Sequence, residues 1–170
     1  VRPGTDLSLV GAAIETTIKA RGFKPIENLA GHSLERFVLH AGISVPNVKE
    51  KGAGVIKEGD VLAIEPFATN GMGRVDGKKN SSIYRFVRRR FARTGDARAL
   101  LKDVEANFSG LPFSERWCVR YLDDPKDALE VLARSGSISF YPTLREVDDG
   151  MVTQAEHTVI VGPSGAIVTT

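Results

Sequence analysis

Two of the three histidines in this chain fall in one short segment, NLAGHSLERFVLHAG, at His32 and His40. Imidazoles can ligate a metal or move a proton near neutral pH, and they can equally be polar groups that share a segment by chance. Two glutamates raise the same question. Glu65 in EGDVLAIEPFA and Glu156 in QAEHTVIV each stand in a run rich in apolar residues. A carboxylate among apolar neighbours is costly unless it is paired or bound to a metal. Placed on neighbouring strands and facing one pocket, the two would repel, and one of them would hold its proton more tightly. A divalent cation removes that cost. With His32 the set is one nitrogen and two carboxylates, better suited to manganese, iron, cobalt or zinc than to a closed, thiolate-bound structural zinc. The same residues also fit two strand glutamates in unrelated salt bridges.

The elements that must position these groups can be read from periodicity. Leu7, Val10, Ile14 and Ile18 recur at helical spacing behind the caps Asp6 and Ser8, and Gly22 marks a stop, which predicts an amphipathic helix over 7–21. A turn at Glu58-Gly59-Asp60 leads into a strand over 61–68, whose alternation puts Val61, Ala63, Glu65 and Phe67 on one face. MVTQAEHTVIV reads as a further strand with Val152, Gln154, Glu156, Thr158 and Ile160 on one face and His157 opposed to Glu156, and AIVTT as another. From about residue 76 the character changes. A Gly/Lys/Asn/Ser stretch and RFVRRRFAR precede DARALLKDVEANF and PKDALEVLARSG, both of helical period. The expected class is α/β (α+β), with a helical insertion over 76–140.

At 170 residues the chain suffices for one cored domain plus a modest insertion. It has no apolar run near the roughly 20 residues of a membrane span. The single cysteine, Cys118, permits no internal disulfide, which points to a reducing compartment and to the cytoplasm by default. The opening VRPGTDLSLVGAAIE has neither an initiator methionine nor a signal-type leader and reads as a continuation of something longer, through truncation, processing or a split gene. The net charge of +2 does not by itself call for nucleic acid. Arg85, Arg88, Arg89, Arg90 and Arg93 are concentrated enough to raise three readings: a solvated face, an electrostatic contact with ribosomal RNA, or a contact with a protein partner.

In this order, NLAGHSLERFVLHAG, EGDVLAIEPFA, FYPTLRE and QAEHTVIV strongly resemble the type II methionine aminopeptidases of archaea and eukaryotes, as do RGFKPI, LPFSERW and the closing VTT. The resemblance implies half of a pita-bread (creatinase/aminopeptidase-like) fold. Residues 1–75 and 141–170 would form the carboxy-terminal half of the catalytic domain, and 76–140 the inserted subdomain of type II enzymes. It further implies removal of the initiator methionine from nascent proteins by a site with two divalent metal ions. In that pattern His32, Glu65 and Glu156 are ligands, Glu156 bridges the metals, Glu65 can carry a proton, and His40 contacts the scissile group and stabilises its oxyanion. Phe67, Tyr141, Leu144 and, more weakly, Leu39 match the pocket for the methionine side chain, although ordinary core packing would also account for Phe67 and Leu144. The family's two aspartate ligands are not matched here. Asp123-Asp124 and Asp148-Asp149 are adjacent and turn-like, so a partner polypeptide carrying two aspartates is expected. The rival reading is a non-catalytic pita-bread module contacting protein or ribosome. Retention of His32, His40, Glu65 and Glu156 together favours the enzyme. A proline-directed or creatine-type hydrolase is disfavoured by the insertion and by FYPTLRE and LPFSERW.

Overall fold

The computed structural model describes residues 1–170 except for the side chains of residues 78 and 79. In chain order the elements are α1 (Leu7–Lys19), β1 (Lys24–Pro25), β2 (Ala30–Ser33), β3 (Ser44–Pro46), β4 (Val61–Ile64), β5 (Phe67–Thr69) and β6 (Val75–Phe86). There follow α2 (Gly95–Phe108), β7 (Pro112–Ser114), a 3₁₀ turn (Glu115–Arg120), α3 (Lys126–Ser135), β8 (Ile138–Glu146), β9 (Val152–Gln154), β10 (His157–Gly162) and β11 (Gly165–Val168). They form two compact units, one of Val1–Arg36, His40–Gly77 and Leu144–Thr170, the other of Phe37–Leu39 and Lys78–Thr143.

In the first unit the Asp6 carboxylate caps α1 by accepting from the Ser8 N–H at 2.7 Å, supplying one of the donors a helix start leaves unpaired. Leu7 and Ile18 of that helix are buried, and Leu7 joins Val45, Ile56, Leu62, Val159 and Val161 in the core. Five strands lie in the order β11-β10-β4-β2-β3, and a second sheet has the order β1-β5-β9. Their pairings are antiparallel.

In the second unit the Thr94 hydroxyl caps α2 by accepting from the Ala97 N–H at 3.2 Å, and Gly136 ends α3 with φ 72°. Leu100, Leu101 and Val104 of α2 and Leu129 and Leu132 of α3 close on Phe113 and Ile138. Tyr84 and Phe108 stack on Phe113 at 5.8 and 5.2 Å. Cys118 is buried in this core. Burial, then the charge of Glu115, pushes its thiol up to about 11, so it is packing rather than a nucleophile.

Two expectations are corrected. The strand expected over 61–68 is two strands, β4 and β5, and that expected over 151–161 is likewise split into β9 and β10. Both breaks come at one level. β4 pairs with β10 up to Ile64↔His157, and β5 with β9 from Phe67↔Gln154. Pro66 offers no N–H to a ladder and restricts the residue before it, so the chain changes sheets there. The Gly/Lys/Asn/Ser stretch, assigned to no element from the sequence, belongs to strand β6. Its early residues are poor strand formers; its far end pairs Ile83, Tyr84 and Arg85 with Ser114, Phe113 and Pro112 of β7.

Candidate active site

The two ladders flanking the break share one register, which sets Glu65 opposite Glu156 and Pro66 opposite Ala155. The Ala155 N–H donates to the Pro66 carbonyl at 3.1 Å and keeps the chains together across the gap. Two carboxylates therefore meet as cross-strand neighbours, an arrangement that like charge disfavours. Burial, then the Glu156 charge, raises the Glu65 carboxyl above its ordinary range, with His32 acting in the opposite sense.

His32 reaches Glu65 because β2 lies beside β4, with His32 opposite Ala63. That approach needs Gly31: a Cβ there would fall 2.2 Å from the Ala63 carbonyl oxygen and 3.2 Å from the Glu65 nitrogen. His32 Nε2 then lies 3.2 Å from Glu65 Oε1, the two side chains being only 13% and 14% exposed. On the other side of the ring, Nδ1 is 3.2 Å from the Ser33 carbonyl oxygen. A carbonyl and a carboxylate both accept, and a neutral imidazole has one proton to give, so one of the two contacts lacks a hydrogen and calls for a second proton or a cation.

The His40 ring meets that of His32 edge-on, with centroids 4.3 Å apart. Both histidines line a cavity of about 340 Å³ with Gly31, Gly42, Ile43 and Ser44. Glu156 is joined to the pair through another residue. Gln154 Nε2 donates to Glu65 Oε2 at 2.9 Å and lies 3.4 Å from Glu156 Oε2. Among the described residues no third His, Cys, Asp or Glu closes on His32 and Glu65 tightly enough to form a ligand cluster.

Of the apolar residues expected around a substrate, Phe67 is half-buried on β5 and Leu144 is exposed on β8. Tyr141 and Leu39 belong to the second unit. His157 is engaged by the Thr170 carbonyl oxygen.

Sequence reasoning missed two residues. Gln154 stood on the face assigned to Glu156 but was given no role; its place two residues before a strand glutamate was the available signal. Glu146 is 3% exposed and accepts from the backbone N–H groups of Asp148, Gly73 and Gly150 at 2.7, 3.0 and 3.0 Å. Burial alone would raise its carboxyl; the donors on Gly150, Asp148, Gly73 and Met72 outweigh that and hold it below the usual carboxylate range. Its signal was the Asp-Gly turn just beyond it.

The donor types suit a divalent cation, though among the described residues they are not drawn into one cluster. They are an imidazole nitrogen turned to a carboxylate oxygen, a second carboxylate opposite the first, and an uncharged amide between the carboxylates. This nitrogen and oxygen chemistry suits manganese, iron, cobalt or zinc.

Comparison with known proteins bears on which chemistry this is. The chain is 47% identical to the methionine aminopeptidase of Thermococcus onnurineus and 49% to that of Thermococcus kodakarensis, in each case over 100% of this chain and 59% of the relative. It is 41% identical to that of Methanocaldococcus jannaschii over 100% of this chain and 58% of the relative. It thus spans less than two thirds of the length of these relatives. Among solved structures, a thermophilic Arx1 matches 96% of this chain and 45% of its own, with a TM-score of 0.75 at 21% identity. The Thermotoga maritima methionine aminopeptidase matches 99% of this chain and 43% of its own, with a TM-score of 0.57 at 22% identity. These likenesses show the fold, part of a pita-bread architecture. Residues 1–163 match metallopeptidase family M24, and the chain belongs to that family.

Proposed function

We propose that this chain is the carboxy-terminal half of a type II methionine aminopeptidase, which removes the initiator methionine from nascent proteins when a second polypeptide completes its site. The observation that carries the reading is the His32–Glu65 contact, with Glu156 set opposite Glu65. In this reading His32, Glu65 and Glu156 hold divalent metal, and two aspartates from the partner complete a two-metal site. The metal supplies an activated water and a Lewis-acid hold on the scissile carbonyl. His40, beside His32 on the same cavity, donates a hydrogen bond to the oxyanion that develops on that carbonyl. Glu65 carries a proton toward the leaving amine. Phe67 and Leu144, both of the first unit, receive the methionine side chain, and the second unit corresponds to the type II insertion.

An open surface supports the need for a partner. β9 forms an edge of its sheet with all three residues exposed, and beside it lies an apolar groove of about 410 Å³ lined by Ile14, Ile18, Pro66, Ala68 and Ala155. Unpaired edges and exposed apolar grooves are surfaces that association covers. The test is to measure methionine release from Met-Ala-Ser by the chain alone, then with a polypeptide bearing the two aspartates, each with added metal. Activity only in the mixture is expected. Activity in the chain alone would refute the half-site; silence in a metal-loaded, stably assembled complex would refute the enzyme.

The arginine run supports a contact with ribosomal RNA. Arg89 is paired with Glu105 and Arg134 with Glu130. Arg90 and Arg93 line a cavity of about 780 Å³ with Arg134 and Phe91, the latter 80% exposed. Charge beside an exposed aromatic ring suits a phosphate backbone with an unstacked base. Replacing Arg90 and Arg93 by glutamate should weaken ribosome association in a salt-dependent way and leave Met-Ala-Ser cleavage by the assembled enzyme within about twofold. Unaltered ribosome binding across salt concentrations would return the run to a solvated face.

A further inference from the structure

We propose that Gln154 is a positioning residue of this site, whose side-chain amide holds Glu65 and Glu156 ready for a cation by donating toward both carboxylates. The inference rests on the reading of His32, Glu65 and Glu156 as ligands. Its first support is placement. Gln154 ends β9 at the last rung before the break, opposite Phe67, and Glu156 lies two residues on. A residue there reaches back over the gap in which the two carboxylates meet.

The second support is how the oxygens are divided. Glu65 Oε2 takes the Gln154 amide at 2.9 Å, and Oε1 faces His32 Nε2 at 3.2 Å. A carboxylate anchored by one oxygen has lost its free rotation, so the amide decides which oxygen is offered beside the imidazole. Gln154 Nε2 also lies 3.4 Å from Glu156 Oε2, and an –NH₂ group has two hydrogens to give.

The third support is charge. Lysine at this position would satisfy both carboxylates and compete with the metal; leucine would leave their repulsion uncompensated; glutamate would add to it. An uncharged double donor holds the pair without opposing a cation. Partners of this kind orient ligands elsewhere, and their loss costs roughly 10–100-fold in metal affinity.

The experiment uses the 170-residue chain with cobalt(II), read by calorimetry and by the visible absorption of the bound ion. Gln154→Leu should weaken cobalt binding by about tenfold or more and change the absorption bands, with the thermal midpoint little altered. Gln154→Glu separates positioning from charge. Added negative charge alone would tighten cobalt binding, whereas loss of the donor weakens it. Unchanged affinity and spectrum in Gln154→Leu, or tighter binding in Gln154→Glu, would overturn the proposal.

A metal-free arm reads the bond by itself. The effects of Gln154→Leu and Glu65→Leu on thermal stability should be non-additive, because each removes one end of a single hydrogen bond. Additive effects would overturn the proposal whether or not metal binds. Absence of cobalt binding by the unaltered chain, with non-additivity intact, would instead count against the ligand reading on which it rests.

Discussion

Glu65 is held in a position that stability alone would not choose. It lies opposite Glu156, only 14% exposed, with its carboxyl raised by burial and by the neighbouring charge. Glu65→Gln removes the repulsion and keeps the shape. In the metal-free chain it should raise stability by about 0.2–1 kcal/mol, the usual size of a cross-strand pair effect, as measured by urea denaturation. The same change should remove most cobalt binding, because an amide is a poor ligand beside His32. Gain in stability with loss of binding is the signature of a residue kept for chemistry; a loss of both would make Glu65 structural. At this scale much was readable beforehand. His32 and His40 were singled out by spacing, and Glu65 and Glu156 by standing among apolar residues. Gln154 and Glu146 escaped, since an uncharged amide and a carboxylate in a mixed turn sequence break no local pattern, and their partners are distant in the chain.

The sheet break that creates the site is a property of elements. Glu65 and Glu156 face each other because β4/β5 and β9/β10 change sheets together, and alternation along one unbroken strand could not disclose that. Helices were easier: the ends of α1, α2 and α3 lie within two residues of those read from caps and periodicity, since capping and amphipathic spacing are local. β6 could not be recognised from its polar start, as its pairing with β7 and β8 is long-range.

Two predictions belong to this scale. Gly31→Ala would drive a methyl group into the Ala63 carbonyl, so β2 must move from β4 and carry His32 away from Glu65. A loss of roughly 1–3 kcal/mol in denaturant stability is expected, with weaker cobalt binding. Glu146 ties the turn after β5 to the turn before β9, and Gly71 leaves room for it, since a Cβ at that position would fall 2.3 Å from Glu146 Oε2. Its carboxyl is lowered on folding, so its contribution is complete above the ordinary carboxylate range and is lost as pH falls through the folded value. The difference in denaturation midpoint between the unaltered chain and Glu146→Gln should therefore be full at neutral pH and shrink in acid. A difference independent of pH would mean that the ionised form is not what the turn donors hold.

For the molecule as a whole, the question is what covers the groove between α1 and the β5/β9 edge. In the proposed assembly the partner that brings the aspartates seats an apolar segment there, and since Gln154 also lines the groove, assembly is blocked from the α1 side. Ala13 lines the groove and is exposed on α1. Arginine is nearly as good a helix former as alanine, so Ala13→Arg should leave the stability of the isolated chain within about 0.5 kcal/mol, as exposed substitutions usually do. In the groove it sets a charge where an apolar segment would be buried, and burying it unpaired is costly. Sedimentation of the chain titrated with partner should show association weakened more than tenfold, and methionine release should fall in proportion to the complex lost, with activity per complex unchanged. In the proposed site Glu156→Ala should act oppositely, leaving association intact and removing activity, and more completely than Glu65→Ala, because Glu156 would serve both metals there. Ala13→Arg chains that assemble and cleave normally would mean that the partner sits elsewhere, even if the half-site itself is right.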